Sequence, residues 1–466
     1  MKKNSKTQKP KLSLCMIVKD EEEYLEECLE SVHDVVDEII VVDTGSEDKT
    51  VEIARKFRAE VYQIPWRDDF ASARNECIKH ANGDWILQLD ADERLDPESK
   101  EELRKWIRNK SKMCASVIID SPKEQQNKGH ISRAHRLFRN VPGIRYSGRI
   151  HEQISPSIAE LQGEEGFSNI KVVHLGYAKD EKAMQSKSDR NYQLLKKQIS
   201  EEPTNAYWHF TFAQNLILRK EYEQALASLQ TALRLGGLPK DIRCSIYNNL
   251  AEVKMALGRY PEAIQFAEKA LSMTRYQTTS YLLLYAIYEH LNAPWKQIDC
   301  LEAAKDIVMK KSQAYNDVSL EAYVDPVAIC TNLGNRYFKV KKIAAAQRNF
   351  QEALEIDSTN FLALRGLADC FLETEEFEKA ADILEQLRKE RPGDPVLLDK
   401  LAWVAIKLQT FDKAIDIYQQ LHELYPQNSG IVKRLAALHS KIGNLQKSKE
   451  YLLKLKSEQS DSLPAC

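Results

Sequence analysis

The second half of the chain repeats itself every 34 residues. Phe377, Phe411 and Leu445 are separated by this interval, and Ile343 precedes Phe377 by the same number of residues. Apolar residues follow each of these positions at helical spacing, and prolines such as Pro392 lie near the repeat boundaries. A unit of this length is one helix–turn–helix, which buries its apolar face only by stacking on its neighbours. The period therefore predicts a helical solenoid from about residue 203 onward.

The repeating pattern resembles the tetratricopeptide repeat, with four good copies and about three degenerate ones. This resemblance implies a superhelical array with a concave surface of the kind that usually binds peptide or protein. A scaffold or dimerisation arm without a ligand, forming a homodimer through the repeats, is the other interpretation.

The first half alternates strand and helix patterns. Continuous apolar runs at 12–18, 38–43, 59–64 and 85–89 predict buried strands, and amphipathic helical patterns separate them. This alternation predicts an α/β domain with a mostly parallel, doubly wound, Rossmann-like sheet. Ser46 is predicted to cap the N-terminus of the second helix.

The fourth predicted strand ends in two carboxylates that are one residue apart, Asp90 and Asp92. A strand projects alternate side chains to the same side, so the two can converge at its C-terminal end. In an open α/β sheet that edge is where ligands bind. Two hard oxygen ligands suit a Mg²⁺ or Mn²⁺ ion that also holds substrate phosphates. A solvated acidic turn is the simpler alternative.

Several motifs in a fixed order resemble a family-2-type glycosyltransferase with the GT-A fold. The resemblance covers about residues 12–180, and a bacterial subgroup is indicated by 136–139 followed by 150–152. That subgroup includes lipopolysaccharide-core glucosyltransferases and bacteriocin-peptide glycosyltransferases, and the latter also have a tetratricopeptide-like C-terminal part. The motifs that carry the resemblance are the segments 14–22, 41–46, 69–75, 83–85 and 89–93.

The resemblance implies a hexosyltransferase that uses a nucleotide-sugar donor, with a UDP-sugar favoured, and a divalent cation, Mn²⁺ or Mg²⁺. Val18, Asp43, Arg74 and Asp90 are the residues it implies for binding the nucleotide-sugar. Asp43 has an alternative role as the cap of the following turn. Arg74 has an alternative role in a surface ion pair with Asp69.

The resemblance also assigns the metal to Asp92 and Asp90, with His174 as a third ligand. A core or capping role for His174 is the alternative. Inversion at the anomeric carbon requires a general base, and Glu152 is our candidate, with His151 as a neighbour that positions or polarises it. A structural role for the pair His151 and Glu152 stays open.

Composition narrows the classes of partner and compartment. The net charge is −2, so no basic excess indicates nucleic acid. The nine cysteines are scattered without a C-x-x-C pair, which is typical of thiols in a reducing cytoplasm rather than of disulfides or zinc. We expect no signal peptide, because no apolar region follows the lysine-rich start, and no transmembrane segment.

The sequence therefore predicts five segments: a basic flexible tail at 1–11, a GT-A domain at 12–180, a helical linker at 181–202, a repeat domain at 203–456 and a tail at 457–466. We expect an inverting, metal-dependent transferase whose acceptor is a peptide or protein, or a cell-envelope glycan or glycolipid. A non-catalytic repeat scaffold with a nucleotide-sugar-sensing domain is the alternative. A nucleotidyltransferase is disfavoured, because no glycine-rich loop follows the first strand.

Overall fold

The computed structural model describes residues 9–121, 130–175, 181–309 and 325–460. The first eight residues of the predicted basic tail and the last six of the chain lie outside these ranges. The described chain divides into two compact units. One comprises the residues up to Ile287, and the other comprises Tyr288–Met309 and the helices that begin at Pro326.

The strands of the first unit form one sheet. They are β1 Leu12–Val18, β2 Glu38–Asp43, β3 Glu60–Gln63, β4 Trp85–Gln88, β5 Glu93–Leu95, β6 Lys112–Ser121, β7 His130–Arg139 and β8 Glu164–His174. Their order across the sheet is β3-β2-β1-β4-β7-β6-β8-β5. The first four strands are parallel, as predicted. Beyond them the sheet is mixed, because β7 runs antiparallel to both β4 and β6, while β8 runs parallel to β6.

Helices cover both faces of the parallel part of the sheet. The helices before the repeats are α1 Leu25–Val32, α2 Thr50–Lys56, α3 Phe70–His80, α4 Ser99–Trp106, α5 Ser155–Glu160 and α6 Glu181–Glu201. Leu14 and Met16 of β1 pack in one core with Leu29 of α1. Cys15 packs in the opposite core with Cys77 of α3. Both faces are buried, which explains why β1 is a continuous apolar run rather than an alternating one.

Ser46 does not cap α2, so that prediction is wrong. The helix begins at Thr50 after Lys49, which makes no side-chain cap. Gly45 has a φ of +109°, and the turn that it permits places two residues, Glu47 and Asp48, between Ser46 and the helix cap Lys49. The Ser46 hydroxyl instead donates to Asp43 Oδ1 at 2.6 Å and accepts the amide of Asp20 at 2.9 Å.

Helical repeats follow α6. In the first unit they are α7 Ala206–Leu218, α8 Tyr222–Leu235, α9 Lys240–Ala256, α10 Tyr260–Met273 and α11 Thr278–His290, whose last residues belong to the second unit. In the second unit they are α12 Pro294–Met309, α13 Pro326–Lys339, α14 Ile343–Ile356, α15 Phe361–Glu373, α16 Phe377–Glu390, α17 Pro395–Lys407, α18 Phe411–Leu424, α19 Ser429–Lys441 and α20 Leu445–Ser460.

The 34-residue period reappears in the backbone of the second unit. Residues with positive φ lie in the turns between paired helices at Lys341, Glu375, Gln409 and Gly443, each 34 residues after the last. Only the fourth is glycine, so the register of the turn comes from packing of the flanking helices rather than from glycine placement. The predicted tetratricopeptide solenoid is confirmed.

The structure also bears on the predictions about membrane segments and cysteines. In the described residues, no helix is long and apolar enough to cross a membrane. The eight cysteines within these ranges are all buried and free.

Candidate functional site

Asp90 lies just after β4, at the C-terminal edge of the parallel strands, and two arginines hold its carboxylate. Arg74 Nη2 donates to Asp90 Oδ1 at 3.0 Å, and Arg136 Nη2 donates to Asp90 Oδ2 at 2.8 Å. The Asp90 amide donates to the buried carboxylate of Glu93 at 2.9 Å. The charges of the two arginines outweigh burial and hold the pKa of Asp90 far below its usual range. Asp90 is therefore ionised and fixed in direction.

Arg74 comes from the first turns of α3 and joins two distant carboxylates. Its side chain is 8% exposed, and its Nε donates to Glu152 Oε1 while its Nη2 binds Asp90. Burial alone would lower the pKa of Arg74, but Asp90 and Glu152 raise it well above the ordinary value. The alternative pairing with Asp69 is not formed, because Asp69 caps α3 by accepting the amide of Ser72 at 2.8 Å.

Arg136 and Glu93 are site residues that the sequence did not reveal. Arg136 enters from β7, which pairs antiparallel with β4, and it contacts the side chains of Gln88, Asp90 and Glu93. Glu93 is only 1% exposed and accepts from Arg136 Nη2 at 2.6 Å. Burial raises the pKa of Glu93 and outweighs the opposing charge of Arg136.

Asp92 and His174 form a second pair beside this network. The antiparallel pairing of β5 with β8 places Glu93 opposite His174. As a result, His174 Nε2 lies 3.4 Å from Asp92 Oδ2. Burial lowers the pKa of His174, but the hydrogen bond and charge of Asp92, with Glu93 and Asp90, raise it overall.

The predicted metal ligands are thus brought together only in part. Asp92 and His174 meet, whereas the carboxylate of Asp90 is turned to the arginines. Within the ranges that the structure covers, no group of three or more His, Cys, Asp or Glu side chains is arranged to hold an ion. Two adjacent ligands of an octahedral ion lie about 3 Å apart at bond lengths of about 2.1 Å, so the 3.4 Å between Asp92 and His174 is compatible with a two-residue site, although Mg²⁺ prefers oxygen ligands to an imidazole nitrogen.

Asp43 is fully buried at the end of β2 and satisfied by protein groups. Its Oδ1 accepts from Ser46, and its Oδ2 accepts from Gln63 Nε2 at 3.2 Å. The adjacent carbonyl of Val18 accepts both the amide and the hydroxyl of Thr44, at 3.0 and 3.1 Å. These contacts fix the β2 turn, and contact of Val18 and Asp43 with a nucleotide stays a prediction.

Glu152 is delivered to the network by an irregular segment between β7 and α5. Asn75 of α3 anchors this segment by exchanging two hydrogen bonds with the backbone of Tyr146, at 2.8 and 2.9 Å. The Tyr146 ring lies 5.8 Å from the Arg74 guanidinium. Glu152 then reaches Arg74, while His151 is exposed to solvent. Of His151 and Glu152, the two residues predicted for the general base, only Glu152 contacts the other site residues.

Comparison with known proteins finds family matches for two parts of the chain. Residues 13–159 match the family described as glycosyl transferase family 2, and tetratricopeptide-repeat families match residues 243–275, 337–404 and 397–428. The first match contains every candidate residue described above except His174. The structure of the tetratricopeptide protein YrrB, described as having an unusual peptide-binding site, is 21% identical and covers 44% of this chain and 96% of its own, with a TM-score of 0.35.

Two relatives each match about half of the chain. A TPR repeat-containing protein of Synechococcus elongatus is 36% identical over 269 residues, which is 54% of this chain and 66% of that protein. The SPbeta prophage-derived glycosyltransferase SunS of Bacillus subtilis is 32% identical over 231 residues, 49% of this chain and 54% of that protein. The chain thus matches between half and two thirds of the length of these relatives. It carries a family 2 glycosyltransferase domain followed by tetratricopeptide repeats.

Proposed function

We propose that the chain is an inverting, metal-dependent glycosyltransferase that transfers a hexose from a nucleotide-sugar, by preference a UDP-sugar. The observation that carries this proposal is the buried ionic network of Asp90, Arg74, Arg136 and Glu93, with Asp92 and His174 beside it. Two desolvated arginines at a strand end are costly to bury, and such clusters concentrate at functional sites.

The arginines suit the diphosphate of the donor. Arg74 Nη1 and Arg136 Nε are buried and have no hydrogen-bond partner. A diphosphate or ribose oxygen can accept from such groups once the network opens, and bidentate guanidinium contacts are well matched to phosphate oxygens. Asp90 occupies these arginines until a donor arrives, which keeps both guanidinium groups oriented toward the sheet edge.

The resident ion is assigned to the neighbouring pair. Asp92 and His174 would hold Mn²⁺ or Mg²⁺, with the remaining positions left for water and the donor. When bound, the ion neutralises charge on the leaving nucleoside diphosphate. Asp92 and His174 fix its place relative to Asp90, because the strand pairing of β5 and β8 sets their separation.

Glu152 is the proposed base that takes a proton from the acceptor. In this structure its carboxylate is bound to Arg74, which also binds Asp90. One guanidinium thus links the donor side of the site to the acceptor side. Movement of Arg74 toward a donor phosphate would release Glu152 for proton transfer, so the base becomes free only when a donor is present.

The acceptor is proposed to be a peptide or protein, or a cell-envelope glycan. The repeats support recruitment of the acceptor or pairing of two chains, since tetratricopeptide arrays present extended binding surfaces. The buried free cysteines support a reducing compartment, and we place the reaction in the cytoplasm.

Metal-dependent release of UDP from UDP-sugars tests the proposal. We expect Mn²⁺ to stimulate release, and Asp92→Asn to remove that stimulation by removing the anionic ligand. Asp382→Asn, on an exposed position of α16, is the matched control and should behave as the unaltered chain. A panel of nucleotide-sugars with and without Mn²⁺, read by thermal shift, identifies the donor by mass action.

One observation favours the alternative of a silent nucleotide-sugar sensor that serves as a scaffold. Both Asp90 and Glu152 form salt bridges with arginines, as they would in a purely structural network. That alternative predicts donor binding without metal-dependent UDP release, so Asp92→Asn would have no metal stimulation to remove. If no donor releases its nucleoside diphosphate, with or without metal, the result supports the sensor.

A further inference from the structure

Helices α6 and α7 contact the segment that carries Glu152. Backbone hydrogen bonds of 3.0 and 2.9 Å between Ser147 and Gln153 close this segment into a loop, residues 147–153. Gly148 in the loop has a φ of +101°, and a Cβ atom there would clash with the Trp208 ring of α7. The Trp208 side chain therefore fills the space directly above the loop backbone.

Polar and apolar contacts with α6 hold the next two residues. The Arg149 amide donates to Gln198 Oε1 at 2.7 Å, and the Arg149 guanidinium makes two hydrogen bonds to Glu201, at 2.8 and 2.7 Å. Ile150 packs in a small core with Leu194 and Leu195. Gln198 is itself buried, so its contact with the loop is not a surface accident.

The far side of the loop is tied to α7 through one amide. Gln153 Nε2 donates to the Tyr207 hydroxyl at 2.7 Å and to the His151 carbonyl at 3.2 Å. His151 has a φ of +53°, an unfavourable conformation for a residue with a side chain. Such strain persists where the surroundings hold it, and it places Glu152 between two restrained neighbours.

We infer that Gln198, Glu201, Tyr207 and Trp208 form a bracket that positions Glu152, making α6 and the first repeat helix a working part of the transfer site. The bracket residues touch the loop and are positioning residues. This inference rests on the proposed function, because it takes Glu152 as the base. It predicts that the α/β domain and the first repeat operate as one device, consistent with their membership of one compact unit.

The effect should fall on turnover and not on donor binding. Arg74 and Asp92 are positioned by α3, β4 and the β5–β8 pairing, none of which depends on Tyr207. Loosening the loop misplaces Glu152 while the diphosphate contacts persist. Errors of about 1 Å in a catalytic group can reduce rates by about 100-fold, so a single lost hydrogen bond in the loop is measurable.

A double-mutant cycle in the full chain tests the bracket. Tyr207→Phe, Gln153→Leu and the double variant are compared for UDP release from UDP-glucose with Mn²⁺, for the Kd of UDP with Mn²⁺, and for melting temperature. We expect kcat to fall about fivefold or more in each single variant, with Kd within about twofold. The double variant should be no worse than Gln153→Leu alone, because Tyr207→Phe removes only a hydrogen bond that Gln153→Leu already removes. Tyr222→Phe on α8 is the control.

Two further measurements separate the possible failures. Trp208→Phe should retain most of the turnover that Trp208→Ala loses, because a smaller ring still covers Gly148. The bracket would be refuted if the losses in the cycle were additive, or if kcat were unchanged in folded variants. It would also be refuted if kcat, affinity for UDP and melting temperature all fell together. If the unaltered chain releases no nucleoside diphosphate from any nucleotide-sugar of the panel, the proposed function fails. Hydrogen exchange of a peptide covering 147–153 then decides the bracket alone: faster exchange in Tyr207→Phe than in Tyr222→Phe supports it, and equal exchange refutes it.

Discussion

Replacing Arg136 with methionine should lower the stability of this domain more than the loss of any of its surface ion pairs would. Arg136 is the cation that contacts Glu93, and it shares Asp90 with Arg74. Methionine approximates the length of the arginine stem and removes only the charge and its hydrogen bonds. Glu93, at 1% exposure, would be left as a buried carboxylate without its cation.

The cost follows from this burial. Removing one partner of a buried ion pair destabilises proteins by about 3–5 kcal/mol, because the remaining charge is neither solvated nor neutralised. The lower end applies here, since Asp90 keeps Arg74 and Glu93 keeps the amide of Asp90. We therefore expect the free energy of unfolding of this domain to fall by about 3 kcal/mol at neutral pH.

The loss should depend on pH with a definite sign. The folded-state pKa of Glu93 already lies above its ordinary value of 4.5, and Arg136 is the charge that holds it down. In the variant the folded chain binds more protons than the unfolded chain above that pH, so stability falls as pH rises. The deficit relative to the unaltered chain should therefore be smaller at pH 5.5 than at pH 7.5.

Hydrogen exchange of peptides from β4 and β7, followed through a urea series at both pH values, measures this local stability. Arg145→Met is the matched control, because Arg145 pairs with Glu160 at the surface with both side chains more than half exposed, and its loss should cost at most about 1 kcal/mol. Adding Glu93→Gln to Arg136→Met should recover part of the loss. A cost equal to that of the control, or a deficit that grows on acidification, would refute this account.

Three other expectations concern the repeats, the thiols and the metal. Gly366→Ala should lower the stability of the second unit by about 1–3 kcal/mol, since a Cβ would meet the Phe350 ring, whereas Gly393→Ala meets nothing and should be neutral in the same urea melts. The eight described cysteines should react with a thiol reagent only on unfolding, because all are buried; rapid labelling of any of these eight in the native chain would contradict this. EDTA should abolish UDP release and lower the melting temperature only slightly, because Asp92 and His174 pair with each other once the ion is removed.

Local patterns were sufficient to predict the architecture. The strands β1, β2 and β4 are continuous apolar runs, and the 34-residue interval appears again in the turns at Lys341 and Glu375. The apolar runs are local and the repeat interval is periodic, so both signals can be recognised without knowledge of tertiary contacts. The position of Asp90 followed from the same reasoning, because it depends only on where β4 ends.

The partners of Asp90 could not be predicted in the same way. Arg136 reaches it only because β7 runs antiparallel beside β4, a pairing between strands 46 residues apart at the contact. Nothing in the spacing of Arg136 distinguishes it from Arg139, which instead donates to backbone carbonyls. The same limit applies to Trp208 and Gly148, whose meeting depends on how α7 packs against the loop.

Arg74 connects the donor side of the candidate site to the candidate base. Its Nε binds the candidate base Glu152, its Nη2 binds the donor-side Asp90, and its Nη1 has no partner. A bound diphosphate competes with both carboxylates for this one guanidinium, so donor binding and release of the base are coupled through a single group. Arg74→Lys keeps the charge but offers one nitrogen instead of three, so it cannot hold both carboxylates with the same geometry. The substitution should therefore reduce UDP release by more than it weakens UDP binding, whereas a simple phosphate contact would affect both equally.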